Sequence, residues 1–158
     1  MNELVAAAKA EFDRAKARMV NALNSTPDEK INWSPSPTSR TPVEIVVHSA
    51  LGTSGLQGWI AAGMPAEGFD PVAIDAGSRE AESKVKTREE AFAMLDDAST
   101  KFHGWLDSLT EDDLAKVHQS PFGPFPMTAA MTIPADHIRG HVAQIDYIQT
   151  IHGDHTWR

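Results

Sequence analysis

The sequence predicts an all-α protein, a four-helix bundle with crossover connections. Four long stretches space their apolar residues by three and four positions, which is the spacing of one helix face. The segments between them are rich in proline and small polar residues, and no stretch has a convincing strand pattern. A chain of 158 residues suits one domain, so we expect residues 1–158 to share one core.

The first helix is predicted from Asn2 to about Asn24, because its apolar residues fall on one face. They are Val5, Ala8, Phe12, Ala15, Met19 and Leu23. The prolines of the next segment cannot continue a helix, so we expect a loop there that Trp33 anchors against the bundle.

The second helix is predicted to begin at Thr41 and Pro42 and to continue to about Ala62. A capping residue, a proline in the first turn and the nearby Glu44 form a typical helix start. Its predicted inward stripe contains a histidine and two glycines and comprises Ile45, His48, Gly52, Gly55 and Trp59.

The third helix is predicted from about Thr87 to Ser108. Its apolar face comprises Ala91, Met94, Ala98, Phe102, Trp105 and Leu109. The preceding segment, 63–86, is long enough to have a function of its own, and we expect a short helix around Asp75–Lys84. The long links after the first and second helices permit crossover connections.

The fourth helix is predicted to begin near Thr128 or Thr132 and to end near His152, before the stop signal Gly153. Pro134 lies in its first turns or kinks it. We expect Ile138, His141, Ile145 and Ile148 to point inward.

Composition excludes several classes of function. The formal net charge of -8 and the lack of a Lys/Arg stripe argue against nucleic acid and against an anionic membrane surface. No apolar stretch approaches the roughly 20 residues that cross a bilayer, and the first residues do not resemble a signal peptide. We therefore expect a soluble, cytoplasmic protein.

The histidines are the candidate metal ligands, since the chain has no cysteine. His137 and His141 lie one turn apart on one helix face, although such a pair also arises by chance as solvated side chains. His48 adds a third imidazole on an inward stripe, where a hydrogen-bonded core histidine is the alternative interpretation. Gly52 and Gly55 would make room near His48, or would permit close helix packing.

Other metal chemistries fit less well. A di-iron bundle needs ExxH motifs, which the chain lacks, and Ile138 stands where a metalloprotease of the HExxH type has its glutamate. The remaining histidines are expected to be solvated or locally hydrogen-bonded; they are His103, His118, His152 and His155.

The sequence resembles the DinB/YfiT-like superfamily over nearly its whole length. The resemblance rests on NWSP at 32–35, TPVEIVVHSA around His48, and DHIRGHVAQIDYI around His137 and His141. It implies a four-helix bundle in which these three histidines bind one divalent ion, zinc or nickel, and leave coordination places for water or substrate. It also implies, for some members, chemistry on low-molecular-weight thiol conjugates.

Three classes of function remain open from the sequence: a metal-dependent transferase or hydrolase acting on a small molecule, a non-catalytic metal- or ligand-binding module, and a structural metal bundle. We favour the enzyme, with segments 63–86 and 110–126 shaping its pocket, but no catalytic base can be named. We also expect a homodimer, because the family resemblance is joined by apolar loop residues that one small bundle does not cover. These are Phe122, Phe125 and Trp157.

Overall fold

A computed structural model describes residues 2–63, 70–120 and 123–156. Its four long helices confirm the predicted elements to within a residue or two, and the last one begins next to Thr132, the later of its two predicted starts. They are α1 (Glu3–Asn24), α2 (Pro42–Ala62), α4 (Arg88–Ser108) and α7 (Ile133–Ile151). Shorter elements lie between them: a 3₁₀ turn (Asp28–Lys30), α3 (Pro71–Glu82), α5 (Glu111–Leu114), β1 (Val117–His118), β2 (Phe125–Pro126) and α6 (Met127–Ala130).

The long helices form a bundle in which α1 packs mainly on α7 and α4, and α2 packs on α4 and α7. The link from α1 to α2 therefore crosses the bundle diagonally, as its length permits. The link after α2 joins neighbouring helices instead, and the second diagonal link runs from α4 to α7. The length of a link limits which helices it can join but does not determine which of them it joins. The sequence therefore did not show that the second crossover lies between α4 and α7.

Helix starts follow the predicted chemistry. Thr41 and Glu44 form a reciprocal capping box at α2, with Pro42 in the first turn. Pro134 likewise lies in the first turn of α7, where its missing N–H costs nothing, so α7 begins after Thr132 without an internal kink. The alternative start near Thr128 corresponds to the separate short helix α6.

Two strands of two residues each were not predicted. Val117 pairs with Pro126 and His118 with Phe125 in an antiparallel bridge. An alternating pattern cannot become visible over two residues, so this bridge left no signal in the sequence.

The core confirms the predicted face of α1, whose six residues are all buried. The stripe predicted on α2 is wrong in its second half, because Gly55 is exposed and Trp59 is only half-buried. Ser49 and Thr53 are buried instead, and each hydroxyl donates to the backbone carbonyl four residues earlier. A pattern of apolar residues misses such internally satisfied polar ones.

Trp33 packs against the core, as predicted for the loop after α1, and its ring lies 4.4 Å from that of His152. Within the described residues, no helix is long and apolar enough to cross a membrane.

Candidate metal centre

The three predicted ligands come together at the interface of α2 and α7. His48 lies on α2, and His137 and His141 lie one turn apart on α7. One potential ligand nitrogen from each ring lies within 4.8 Å of the others. The ring centroids are 4.4 to 5.1 Å apart, so the helix packing places all three imidazoles around one point.

Hydrogen bonds on the outer nitrogens fix which atoms face that point. His48 Nδ1 lies 2.8 Å from Glu82 Oε1, and His141 Nδ1 lies 2.8 Å from Gln144 Oε1. Because an oxygen acceptor places the proton on Nδ1, Nε2 of each ring is left with a free lone pair. Gln144, three residues after His141 on α7, thus orients His141.

The spacing of the inner nitrogens suits a metal ion. Nε2 of His137 and Nε2 of His141 are 3.1 Å apart. Two imidazole nitrogens bound to a tetrahedral zinc at about 2.0–2.1 Å would stand roughly 3.3 Å apart. The two rings therefore need almost no movement to share an ion.

The electrostatics of the cluster keep its buried imidazoles neutral. Burial is the main reason why the pKa of His137 is lowered to about 3. Positive charge on His141, His48 or Arg40 lowers this pKa further. Burial also lowers the pKa of His141, although the hydrogen bond with Gln144 opposes it. Neutral imidazole is the form that binds metal, so these rings need lose no proton first at neutral pH.

Gly52 makes room for the cluster. A Cβ atom added to this residue would lie 2.3 Å from Cε1 of His137, closer than atoms can approach. Only glycine therefore lets the His137 ring lie against α2 as it does. Gly55 has nothing within 4 Å of its added Cβ, so the prediction that it also removes bulk is wrong.

Glu82 is the functional residue that sequence reasoning missed. Its side chain is 1% exposed, and it accepts a hydrogen bond from Arg40 Nε at 2.6 Å besides contacting His48. Burial raises the pKa of this carboxyl, but the hydrogen bonds and charges of His48 and Arg40 outweigh burial and lower it overall. Nothing in the sequence distinguishes Glu82 from the exposed Glu80 two residues earlier.

Polar contacts also attach α3 to the bundle. The Arg40 guanidinium bridges Glu82 and Asp75, and Arg79 donates to Asp75 and to the backbone carbonyl of Thr38. Glu82 is the one buried residue of α3. Helix α3 is therefore held to the bundle by charged groups, whereas the long helices are held by apolar packing. It begins and ends earlier than the predicted Asp75–Lys84.

A cavity of about 490 Å³ lies beside the triad. Its lining combines the loop before α2, one residue each of α2 and α3, and one face of α7. It comprises Pro35, Thr38, Ser39, Arg40, Ile45, Arg79, Ala143, Gln144, Tyr147 and Ile148. Segment 63–86 thus contributes to it, as predicted, through Arg79. The described part of segment 110–126 lines a different cavity near Ala62, roughly 20 Å along α2 from His48 at 1.5 Å per residue.

The other four histidines lie outside the cluster. The prediction that they are solvated or locally hydrogen-bonded is wrong for His118 and His152, because among the described residues their buried Nε2 atoms have no hydrogen-bond partner. His103 Nε2 is 3.1 Å from Asp13, and the rings of His118 and His152 pack against Phe125 and Trp33. His155 lines a separate cavity of about 390 Å³ with Arg18 at the carboxyl end of α7.

The fold and the cluster define a class: helical bundles that carry three histidines on two packed helices. The sequence profile of the DinB superfamily matches residues 11–145. The chain therefore belongs to the DinB superfamily. A search of curated proteins found no match.

Solved structures share the fold. YfiT from Bacillus subtilis, described as a probable metal-dependent hydrolase with an unusual four-helix bundle topology, has a TM-score of 0.74 at 16% identity, covering 97% of this chain and 90% of its own. The sibling lethal factor precursor DfsB has a TM-score of 0.71 at 21% identity, covering 94% and 96%. The mycothiol-dependent maleylpyruvate isomerase has a TM-score of 0.67 at 11% identity, and this chain spans 60% of its length while 89% of this chain is covered.

Proposed function

We propose that this protein binds one divalent ion, zinc or nickel, through His48, His137 and His141, and uses it in a transfer or hydrolysis reaction on a small molecule. The observation that carries the proposal is the arrangement of the three imidazoles, with ligand nitrogens that all lie within 4.8 Å of one another. Imidazole suits both metals, so the ligands do not choose between them.

An incomplete ligand set favours chemistry over a structural role. Within the described residues, the cluster contains three potential ligands, and Glu82 contacts His48 on the ring's outer nitrogen. Three protein ligands with an open place are typical of catalytic zinc, whereas structural sites close the shell with four. A bound ion would supply a water with a pKa near about 7, or would hold a thiolate at neutral pH.

Thiol chemistry would need a thiol from outside the chain, because the chain has no cysteine. YfiT is described as a probable metal-dependent hydrolase, which supports hydrolysis, and the maleylpyruvate isomerase is mycothiol-dependent, which supports thiol chemistry. Glu82 is a poor candidate for the base, since its hydrogen bonds with His48 and Arg40 lower its pKa. The residues of this chain would then orient the ligands and shape the cavity.

An activity screen tests this proposal. Zinc- and nickel-loaded protein is assayed with low-molecular-weight thiols and electrophiles, and in parallel with a panel of esters and amides. We expect turnover with one class and its loss in His137→Ala. A non-catalytic metal bundle would give no turnover, and its cobalt-substituted form would show no spectral change when azide or a thiol is added.

We also propose a homodimer in the cytoplasm. Of the apolar loop residues behind this expectation, Phe122 and Trp157 lie outside the described residues, and Phe125 is half-buried against the core. Light scattering at micromolar concentration is expected to give twice the chain mass of 17.2 kDa. The mass of a single chain under these conditions would contradict the proposal.

A further inference from the structure

The cavity beside the triad has a position suited to substrate. Gln144 lines it and also contacts the outer nitrogen of His141, so the cavity lies on the outer side of the cluster, although none of the three histidines lines it. Tyr147 and Ile148 continue its wall along α7, so it extends roughly 10 Å from His141 at 1.5 Å per residue. A small molecule that fills it would place one end near the histidines.

Both charged residues in the lining are arginines, Arg40 and Arg79. The carboxylates that pair with them do not line the cavity. Asp75 accepts hydrogen bonds of 2.6 Å from Arg40 Nη2 and Arg79 Nε, and Glu82 accepts one from Arg40 Nε. Carboxylates outside the cavity lining therefore fix the orientations of the two guanidinium groups.

One nitrogen of each guanidinium remains available. Among the residues that the structure describes, Arg40 Nη1 and Arg79 Nη2 make no hydrogen bond, while Arg79 Nη1 donates to the Thr38 carbonyl. An oriented guanidinium nitrogen is a strong donor to an anionic oxygen. The two acids balance the two cations in number, so an anion would be held here by directed hydrogen bonds from the free guanidinium nitrogens and not by a net positive charge.

The rest of the wall is mostly apolar. Pro35, Ile45 and Ile148 line it together with the ring of Tyr147, which is 68% exposed. A tyrosine exposed to this extent buries little surface in the protein alone and offers its ring to a ligand. The lining thus matches a molecule with a hydrocarbon body and one carboxylate.

We propose that this cavity binds the carboxylate of a small amphipathic acid and holds it beside the histidine triad, on the side of Gln144. The proposal rests on the proposed function for the role of the triad, but the cavity's affinity for a carboxylate does not depend on metal. The expected substrate is then a monocarboxylic acid, or an ester or conjugate that keeps a free carboxylate.

Titration with a matched pair of probes tests the cavity. Backbone amide spectra of the metal-free and zinc-loaded protein are followed during addition of hexanoate or its neutral analogue hexanamide. We expect hexanoate to shift the amides of residues 38–40 and 143–148, with hexanamide binding at least ~10-fold more weakly, a difference of about 1.4 kcal/mol. Arg79→Met is expected to remove this preference and Arg79→Lys to retain part of it, while the exposed Arg14→Met leaves it unchanged.

The outcomes separate this proposal from the metal proposal. Equal binding of the two probes, or a preference that survives Arg79→Met, would overturn the cavity assignment. Hexanoate binding seen only with zinc present would also overturn it, because the carboxylate would then be on the ion. A preference that needs Arg79 and persists without metal supports the cavity even if no metal-dependent reaction is found.

Discussion

Replacing His137 by alanine is expected to weaken zinc binding by at least about 100-fold, beyond the 10–100-fold typical of losing a hydrogen-bond partner of a ligand. The reason is the position of the ring, which packs against Gly52 of α2 and faces His141 at 3.1 Å between Nε2 atoms. His48→Ala and His141→Ala are expected to act similarly. Metal content after dialysis and chelator competition measure the effect.

His103→Ala is the matched control, because this half-buried histidine lies outside the cluster. It is expected to keep wild-type metal content. Equal content in the control and the three cluster variants would rule out the triad as the binding site.

A second variant tests the site while keeping all three imidazoles. Gly52→Ala places a methyl group 2.3 Å from Cε1 of His137, so the ring must move by about 1 Å, and we expect zinc affinity to fall at least ~10-fold. Gly55→Ala, one turn away and open to solvent, is expected to leave affinity unchanged and to stabilise the helix by up to about 1 kcal/mol. Equal zinc affinities of the two variants would contradict the packing described for His137.

Removing the Glu82 carboxylate is expected to have the second largest effect. Glu82→Ala leaves the largely buried Arg40 with Asp75 alone and frees the outer nitrogen of His48. We expect a loss of about 3 kcal/mol in unfolding free energy, at the lower end for a broken buried ion pair because Asp75 remains. Zinc affinity should fall about 10–100-fold, since His48 loses the acceptor that orients it.

Two further variants separate orientation from stability. Glu82→Gln keeps an oxygen acceptor for His48 without the charge, so it should restore most of the zinc affinity while remaining less stable than the wild type. Glu80→Ala removes a carboxylate from the exposed face of α3, where it pairs with Lys84, and should change neither quantity appreciably. Chemical denaturation and chelator competition measure both; wild-type zinc affinity in Glu82→Ala would show that this carboxylate does not position His48.

The four long helices were predictable because local signals define them. The apolar residues of α1 repeat at helical spacing along its whole length, and three residues, Thr41, Pro42 and Glu44, define the start of α2. The three histidines were also predictable as a group, since two lie one turn apart on one helix and the third lies on the predicted inward stripe of another, which the family resemblance supports. Their role as metal ligands stays a prediction.

The surroundings of the histidines could not be predicted, because they depend on contacts between distant segments. Glu82 and His48 are 34 positions apart, and their contact exists only because α3 packs against α2. Ser49 and Thr53 are buried through hydrogen bonds to their own helix, which no hydrophobicity pattern reveals. Packing also decides that Gly52 faces His137 while Gly55 faces solvent.

The attachment of α3 has a consequence for how the molecule can open. A segment that buries one carboxylate and leaves Val72 77% exposed has little apolar surface to hold it in place. Any excursion of α3 away from the bundle would withdraw Glu82 from His48 and Arg79 from the cavity wall in the same movement. Access to the cavity and the orientation of the first histidine are thereby coupled, and raising the salt concentration, which screens the exposed part of the α3 ion pairs, would shift both together.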